Sequence, residues 1–445
     1  MTPKNQRLRG QARCTLIKHS NHMAVILRVP KAILIGGSLA VFSLALFAQT
    51  SVAPLGGEFS ILGSVPGDQV LPSLSLSSSG GCVVWQDNGI DKKGAGVGGS
   101  LLDNNFISGR MFQVNRLATG DQIKPQVQLL ANDNTIYVWE SSVAGTPDIY
   151  ARLSKDTAKG SHAYGSNFYT VDLRANAVIA DAQADPAVAA LPDGSAIITW
   201  ASYGQDGSMF GVFARRLLAS GKWAKAKEFQ VNQYTSYNQR NPAIATLASG
   251  NYVIAWVSEQ ERYANSLDVY ARIFTPAGVP VTEEIAINSG SHPCATPTVA
   301  ALNDGGFTVV WGQKDTVATN GWDIWGRPFS ATGMPEASDF RINTFLYGDQ
   351  FQPKIAAGPA GSLVVWTSMG EDGSREGVYG RFLPGGTQVF ADEFRVNTTT
   401  VSQQFHPAVA WNGVDRFLVV WSSFVGAAGF DLYGQAYVLT SNSSP

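Results

Sequence analysis

Seven times along this chain a run of small and β-branched residues opens at a proline, passes through a tight turn and ends at a tryptophan. The third copy reads Pro-Ala-Val-Ala-Ala-Leu from Pro186, then Pro-Asp-Gly-Ser, then Ala-Ile-Ile-Thr-Trp up to Trp200. Two short runs of this kind flanking an Asp-Gly turn predict a β-hairpin. The tryptophans Trp85, Trp139, Trp200, Trp256, Trp311, Trp366 and Trp421 are spaced by 54, 61, 56, 55, 55 and 55 residues. Pro72, Pro125, Pro186, Pro242, Pro297, Pro353 and Pro407 precede them by 13 or 14 residues every time. A fixed period of this length is the mark of a repeat architecture.

Each tryptophan is followed, after a variable loop, by a third apolar segment. Examples are Asp148-Ile-Tyr-Ala-Arg, Asp268-Val-Tyr-Ala-Arg and Asp323-Ile-Trp-Gly-Arg. A fourth comes next, as in Phe112-Gln-Val-Asn, Phe229-Gln-Val-Asn and Phe394-Arg-Val-Asn, with Phe168-Tyr-Thr-Val as the equivalent in repeat two. Four strands in about 55 residues make one blade of a β-propeller, a twisted antiparallel sheet. The seventh repeat lacks its fourth strand, and Glu58-Phe59 stands ahead of the first hairpin in the register of a fourth strand. The expectation is therefore an all-β, seven-bladed propeller of four-stranded antiparallel blades over residues 54–445. The N-terminal strand completes the last blade and closes the ring, which removes an unpaired edge. The first strand of each repeat should line the central axis.

Residues 1–53 differ from this pattern. They hold seven basic residues and no acidic one, with an apolar run from Ala32 to Ala48. That arrangement reads as a secretory signal, or as an uncleaved anchor, with Met23 as an alternative start. Export to the periplasm, the cell surface or the medium follows. Without the leader, 25 basic residues face 34 acidic ones, a net charge of −9. Such a surface is unsuited to nucleic acid or to an anionic membrane. No membrane contact is expected beyond the N-terminal segment, and the expected state is a monomer. Cys82 and Cys294 fall in repeats too far apart to bridge, so they read as buried thiols.

The repeat resembles the tryptophan-containing propeller repeats of uncharacterised bacterial exported and cell-surface proteins. It is distantly similar to TolB-like repeats, in which a Pro…Asp-Gly hairpin precedes an Asp-Ile-Tyr strand. The resemblance implies the architecture and no particular activity.

Candidate chemistry is sparse. The seven repeat tryptophans read as structural packing between blades. The repeated Arg152, Arg215, Arg272, Arg327 and Arg381 suggest ion pairs with Glu228, Glu284, Asp339 and Glu393, tying third strands to fourth. Asp206 and Asp372, each in an Asp-Gly-Ser turn, offer too few oxygens for a convincing calcium loop, so no cofactor is expected. No nucleophile, metal or nucleotide motif occurs, and no catalytic residue is assigned. The face opposite the Asp-Gly turns carries the longer loops, and function concentrates on such loops. An insertion is expected there around Asp172 to Asp185. Tyr203, Asp206, Tyr234, Tyr237, Glu259, Tyr263, Trp322, Tyr347, Asp372 and His406 are the candidate ligand-binding residues on that face. Glu261, Phe345 and Glu371 accompany them. Tyrosine, tryptophan and scattered acids suit a glycan or a protein partner. The reading is a non-catalytic binding or scaffold propeller. The alternative is a polysaccharide-active enzyme, a hydrolase or lyase, with acids converging at the mouth of the central channel.

Overall fold

The computed structural model describes residues 49–442, apart from 133, 156–166, 261, 265, 316–320 and 386–390. The leader expected over 1–53 lies outside the described residues except for 49–53, which open the strand Gln49–Ser60. Among the described residues no helix is long and apolar enough to cross a membrane.

Seven four-stranded antiparallel sheets form the seven blades of a propeller. Blade one consists of Gln69–Ser77, Gly80–Asp87, Gly96–Leu102 and Phe112–Gln113, ordered from the axis outward. The later inner strands are Gln122–Leu129, Gln183–Ala190, Gln239–Thr246, Cys294–Ala301, Gln350–Gly358 and Gln404–Trp411. In blade seven the third strand, Phe430–Asn442, pairs with Gln49–Ser60, so the N-terminal strand supplies the outer position and closes the ring.

The reason for the second strands' composition is that both of their faces are covered. Ala196–Tyr203 and Tyr252–Ser258 are buried at nearly every position, which favours an unbroken β-branched run over alternation. The core is therefore a set of layers between blades. Ile136, Val138 and Ile149 of blade two pack with Ile198, Trp200 and Phe213 of blade three. Val83 and Trp85 pack with Leu418, Val420 and Leu432 across the closure. All seven repeat tryptophans are fully buried in these layers, as expected of packing residues.

Blades are also clipped at their rims. Glu228 accepts hydrogen bonds from the main-chain N–H groups of Ala177 and Val178 in the preceding blade. Glu284 does the same for Gln233 and Tyr234, and Glu58 for Thr398 and Thr399 across the closure. This revises the expected ion pairs. Arg215, Arg272 and Arg327 donate to main-chain carbonyls of their own blade and to one on the blade before, which is Ala175, Val231 and Ile287 respectively. The planar guanidinium bridges two carbonyls at once, while the acids serve the exposed N–H groups. Arg152 comes within 3.8 Å of Asp172 as well.

Blade two corrects a second expectation. Its outer strand is Leu173–Arg174, not the segment beginning at Phe168. Leu173 stands 13 residues before Pro186, the ordinary spacing, so the extra residues precede the outer strand and the loop around Asp172 to Asp185 carries no insertion. Asn176 takes the place of the repeated asparagine: its Oδ1 accepts from the Ile149 N–H and its Nδ2 donates to Asp148. Phe168 misled because an aromatic marks that position in most other repeats.

Candidate functional site

Every inner strand is interrupted by the same irregularity. Val70 pairs with Gln86 and Ser73 with Val84, so Leu71 and Pro72 together face Trp85 alone. The other six blades repeat this two-against-one bulge opposite their tryptophans. The recurrent proline-to-tryptophan distance is thus the signature of a bulge. Proline is tolerated because an inner strand has no ladder partner on its channel side.

The residue before each proline pays in backbone conformation. Leu71, Lys124, Asp185, Asn241, Thr296, Gln352 and His406 have φ between 45° and 54°. Left-handed backbone is rare for non-glycine residues, and a following proline ordinarily drives its neighbour toward extended structure. A bulge re-aims side chains, and strained backbone clusters at functional sites. Here all seven of these residues line the cavity on the axis, which encloses about 350 Å³. This position holds seven different residues, and the positions on either side of it vary as well.

The ring divides into two arcs. Across blades two to four, Lys124 Nζ lies 2.6 Å from Asp185 Oδ1 and 3.3 Å from Glu140 Oε2. Asn241 Nδ2 donates to Asp185 Oδ2 at 3.0 Å, and the Asp185 N–H points at Glu140 Oε2 at 3.3 Å. Burial opposes the Lys124 charge, but the two carboxylates outweigh it and its pKa rises. Burial also raises the Glu140 pKa, against the attraction of Lys124. Asp185 makes the shorter contact with the lysine.

Blades six and seven supply the other arc, with Gln352, Lys354 and His406. The buried Oε1 of Gln352 and Nδ1 of His406 have no hydrogen-bond partner among the described residues. Lys354, one residue past Pro353, is open to the channel yet walled by the inner strands, and burial lowers its pKa. Burial, and after it the nearby Lys354 charge, holds the His406 pKa down at about 4.

A second depression of about 530 Å³ leads off this mouth over blades three to five. Lys124, Asp185 and Asn241 are common to both cavities, while Phe210, Arg240 and Trp322 line the outer one. Of the residues singled out from sequence, His406 lies in the channel and Trp322 in this depression. Neither cavity is lined by Tyr203, Asp206, Tyr234, Tyr237, Glu259, Tyr263, Tyr347 or Asp372. Tyr203 stacks edge-on with Phe210 at 5.2 Å. Tyr237 donates its N–H to Ser208 in the neighbouring blade's turn. Glu259 is held by Asn238 and Arg240. Tyr263 reaches the Ser289 carbonyl, the Tyr234 carbonyl accepts from Asn232, and the Tyr347 ring stands in solvent at 83% exposure. Asp206 and Asp372 accept from the N–H groups of Ser208 and Ser374, which are turn contacts. Among the described residues no group of three or more histidine, cysteine or acidic side chains could hold a metal ion. Glu261 and His162 lie outside the described residues. Cys82 and Cys294 are buried and form no disulfide.

Sequence reasoning missed Lys124, Glu140, Asp185, Asn241, Thr296, Gln352 and Lys354. The signal was present as the variable residues on either side of an invariable proline, but only the bulge shows that they face the axis.

Two carboxylates do meet at the mouth. The oxygens of Asp185 and Glu140 that flank Lys124 Nζ lie within about 6 Å of each other. Only Asp185 lines a cavity; Glu140 is 6% exposed and sits behind it.

No protein-family model and no curated protein matches the chain. Among solved structures, a protein of unknown function from Dyadobacter fermentans DSM 18053 aligns with TM-score 0.52 at 12% identity, over 87% of this chain and 99% of its own. The polysaccharide lyase Uly1 aligns with TM-score 0.53 at 10% identity, over 84% and 90%. A PL25 ulvanlyase bound to -[GlcA(1-4)Rha3S]- aligns with TM-score 0.56 at 8% identity, over 85% and 95%. At such identities the likeness is one of fold, and the seven-bladed propeller is the architecture these comparisons support.

Proposed function

We propose that this protein is an exported, non-catalytic binding propeller of the tryptophan-repeat kind, and that it holds a glycan at the channel mouth on its long-loop face. The observation that carries the reading is the ring of seven strained, mutually different residues ahead of the prolines. Hydroxyl-rich ligands suit a ring that mixes amide, hydroxyl, carboxylate and ammonium groups, and the aromatic faces of Phe210 and Trp322 in the adjoining depression supply apolar contact. A glycan array tests this. Selective binding that weakens at least tenfold in Asn241→Ala and Trp322→Ala, but not in Tyr347→Ala, supports the reading. A blank array at high protein concentration rejects the glycan and directs the search to envelope proteins.

The second reading, a polysaccharide-active enzyme, is favoured by one observation: two carboxylates, Asp185 and Glu140, come together at the mouth, and glycoside hydrolysis works through a pair of acids. Against it, Lys124 sits between the two and Glu140 faces no cavity. Loss of chain length in a bound polysaccharide, abolished in Asp185→Asn, would establish the enzyme; an unchanged polymer after prolonged incubation would remove it.

A further inference from the structure

Lys354 is out of place in its layer. The residue after the repeat proline is Ser73, Gln126, Ala187, Ala243, Thr298 or Ala408 in the other blades, and all seven belong to inner strands around the axis. The four ionisable groups that line the channel are Lys124, Asp185, Lys354 and His406. Lys124 and Asp185 neutralise each other. Lys354 has no hydrogen bond or ion pair among the described residues, and no acid acts on it. The nearby His406 ring is neutral above about pH 4, and the lysine opposes its protonation.

A fold that needed only to fill this volume could use alanine, as blades three, four and seven do. Lys354 is exposed to the channel, so an anion entering it would meet an unpaired ammonium directly. The buried Nδ1 of His406 is also without a hydrogen-bond partner and donates to an anion when it carries the ring proton, whereas the unpartnered atom of Gln352 is the acceptor Oε1.

We propose that Lys354, flanked by Gln352 and His406, is a receptor for a carboxylate or sulfate group, so that the glycan held at the mouth is an acidic one. This inference rests on the glycan reading for the identity of the carrier, but not for the anion site itself. The anionic group enters the channel and pairs with the ammonium, while the rest of the chain remains at the mouth and in the depression beside it.

Calorimetric titration separates the possibilities. A uronate-containing oligosaccharide, a neutral oligosaccharide of the same length, free glucuronate and inorganic sulfate are each titrated into wild type, Lys354→Met and Lys354→Arg. The expected result is a preference for the acidic over the neutral oligosaccharide of at least about tenfold, near ~1.4 kcal/mol. That preference should vanish in Lys354→Met and persist in Lys354→Arg. In parallel, the His406 ring is followed by NMR. Its midpoint of about 4 in the free protein should rise when the anion is bound, and also in Lys354→Met.

Equal binding of the two oligosaccharides, or a preference that survives Lys354→Met, overturns the anion receptor and leaves the glycan reading standing. Binding of sulfate or glucuronate that depends on Lys354, with no oligosaccharide bound, upholds the receptor and rejects the glycan. If no probe binds and the His406 midpoint does not move, both fall.

Discussion

The two arcs of the channel mouth are built by the same bulge and end in opposite electrostatic states. In blades two to four the exposed charge is consumed internally: Lys124 is shared between Asp185 and Glu140, and Asn241 fills another carboxylate position. In blades six and seven the residues on either side of the repeat prolines leave a lysine, an amide oxygen and an imidazole nitrogen unmatched. The first arc is neutralised within the fold, and the second is left open to the channel. Ionisable residues beside the repeat prolines can thus be paired or open, and the difference lies in whether a neighbouring blade supplies the partner.

The comparison breaks most severely at Lys124. Lys124→Met would leave Glu140 and Asp185 at the mouth without their cation, and losing one partner of a buried pair costs about 3–5 kcal/mol. Lys124 is itself partly exposed, so a loss of about 2–3 kcal/mol is expected in chemical denaturation. Adding Glu140→Gln should recover part of that loss.

Next comes acid. The folded-state pKa of His406, about 4, lies below its ordinary value of 6.5, so the unfolded chain binds more protons between those values. Stability should therefore fall as pH drops from 6.5 to 4, by up to about 3 kcal/mol for this group. The slope of melting temperature against pH across that window should flatten in His406→Gln. An unchanged slope would show that the ring is hydrated and the open arc less enclosed than its geometry indicates.

A rim clip sharpens the same lesson. In blade three the Gln205 amide donates to Glu228, whereas in blade six an acid, Glu371, takes the place of that glutamine and faces Glu393. Burial and then the Glu393 charge push the Glu371 pKa up to about 7, against a hydrogen bond from Ser368. A raised carboxyl pKa means stability that is fully present below the unfolded value of 4.5 and is lost as pH rises through 7. Glu371→Gln should therefore stabilise the protein at pH 8 by about 1 kcal/mol, after allowance for partial exposure, and leave it unchanged at pH 4.5. Melting curves at the two pH values decide this.

The smallest effect is expected at the second channel lysine. Lys354→Met removes an unpaired charge and should change stability by no more than about 1 kcal/mol, in the stabilising direction if at all. A loss comparable to that of Lys124→Met would reveal a structural partner and erase the contrast between the arcs.

The sequence by itself determined the architecture. Prolines and tryptophans recurring at constant separation set the number of blades, the hairpins and their order, and the register of Phe59 set the closure. These features were legible because burial of both faces of every blade imposes one composition on seven segments. The outer strands were less legible: they are two residues long in six blades, so Phe168 could stand in for Leu173 without breaking any pattern. The fate of the repeated arginines was hidden for a related reason, since main-chain carbonyls of the preceding blade leave no trace in side-chain spacing. The site belonged to tertiary structure. A left-handed residue before each proline turns its side chain to the axis, and nothing in local propensity announces that conformation. Whether such a residue is then paired or open depends on contacts between blades, as with Lys124 and Asp185, 61 positions apart. Periodic burial is a property of each repeat and can be read along the chain, whereas charge neutralisation at the axis depends on which residues ring closure brings side by side.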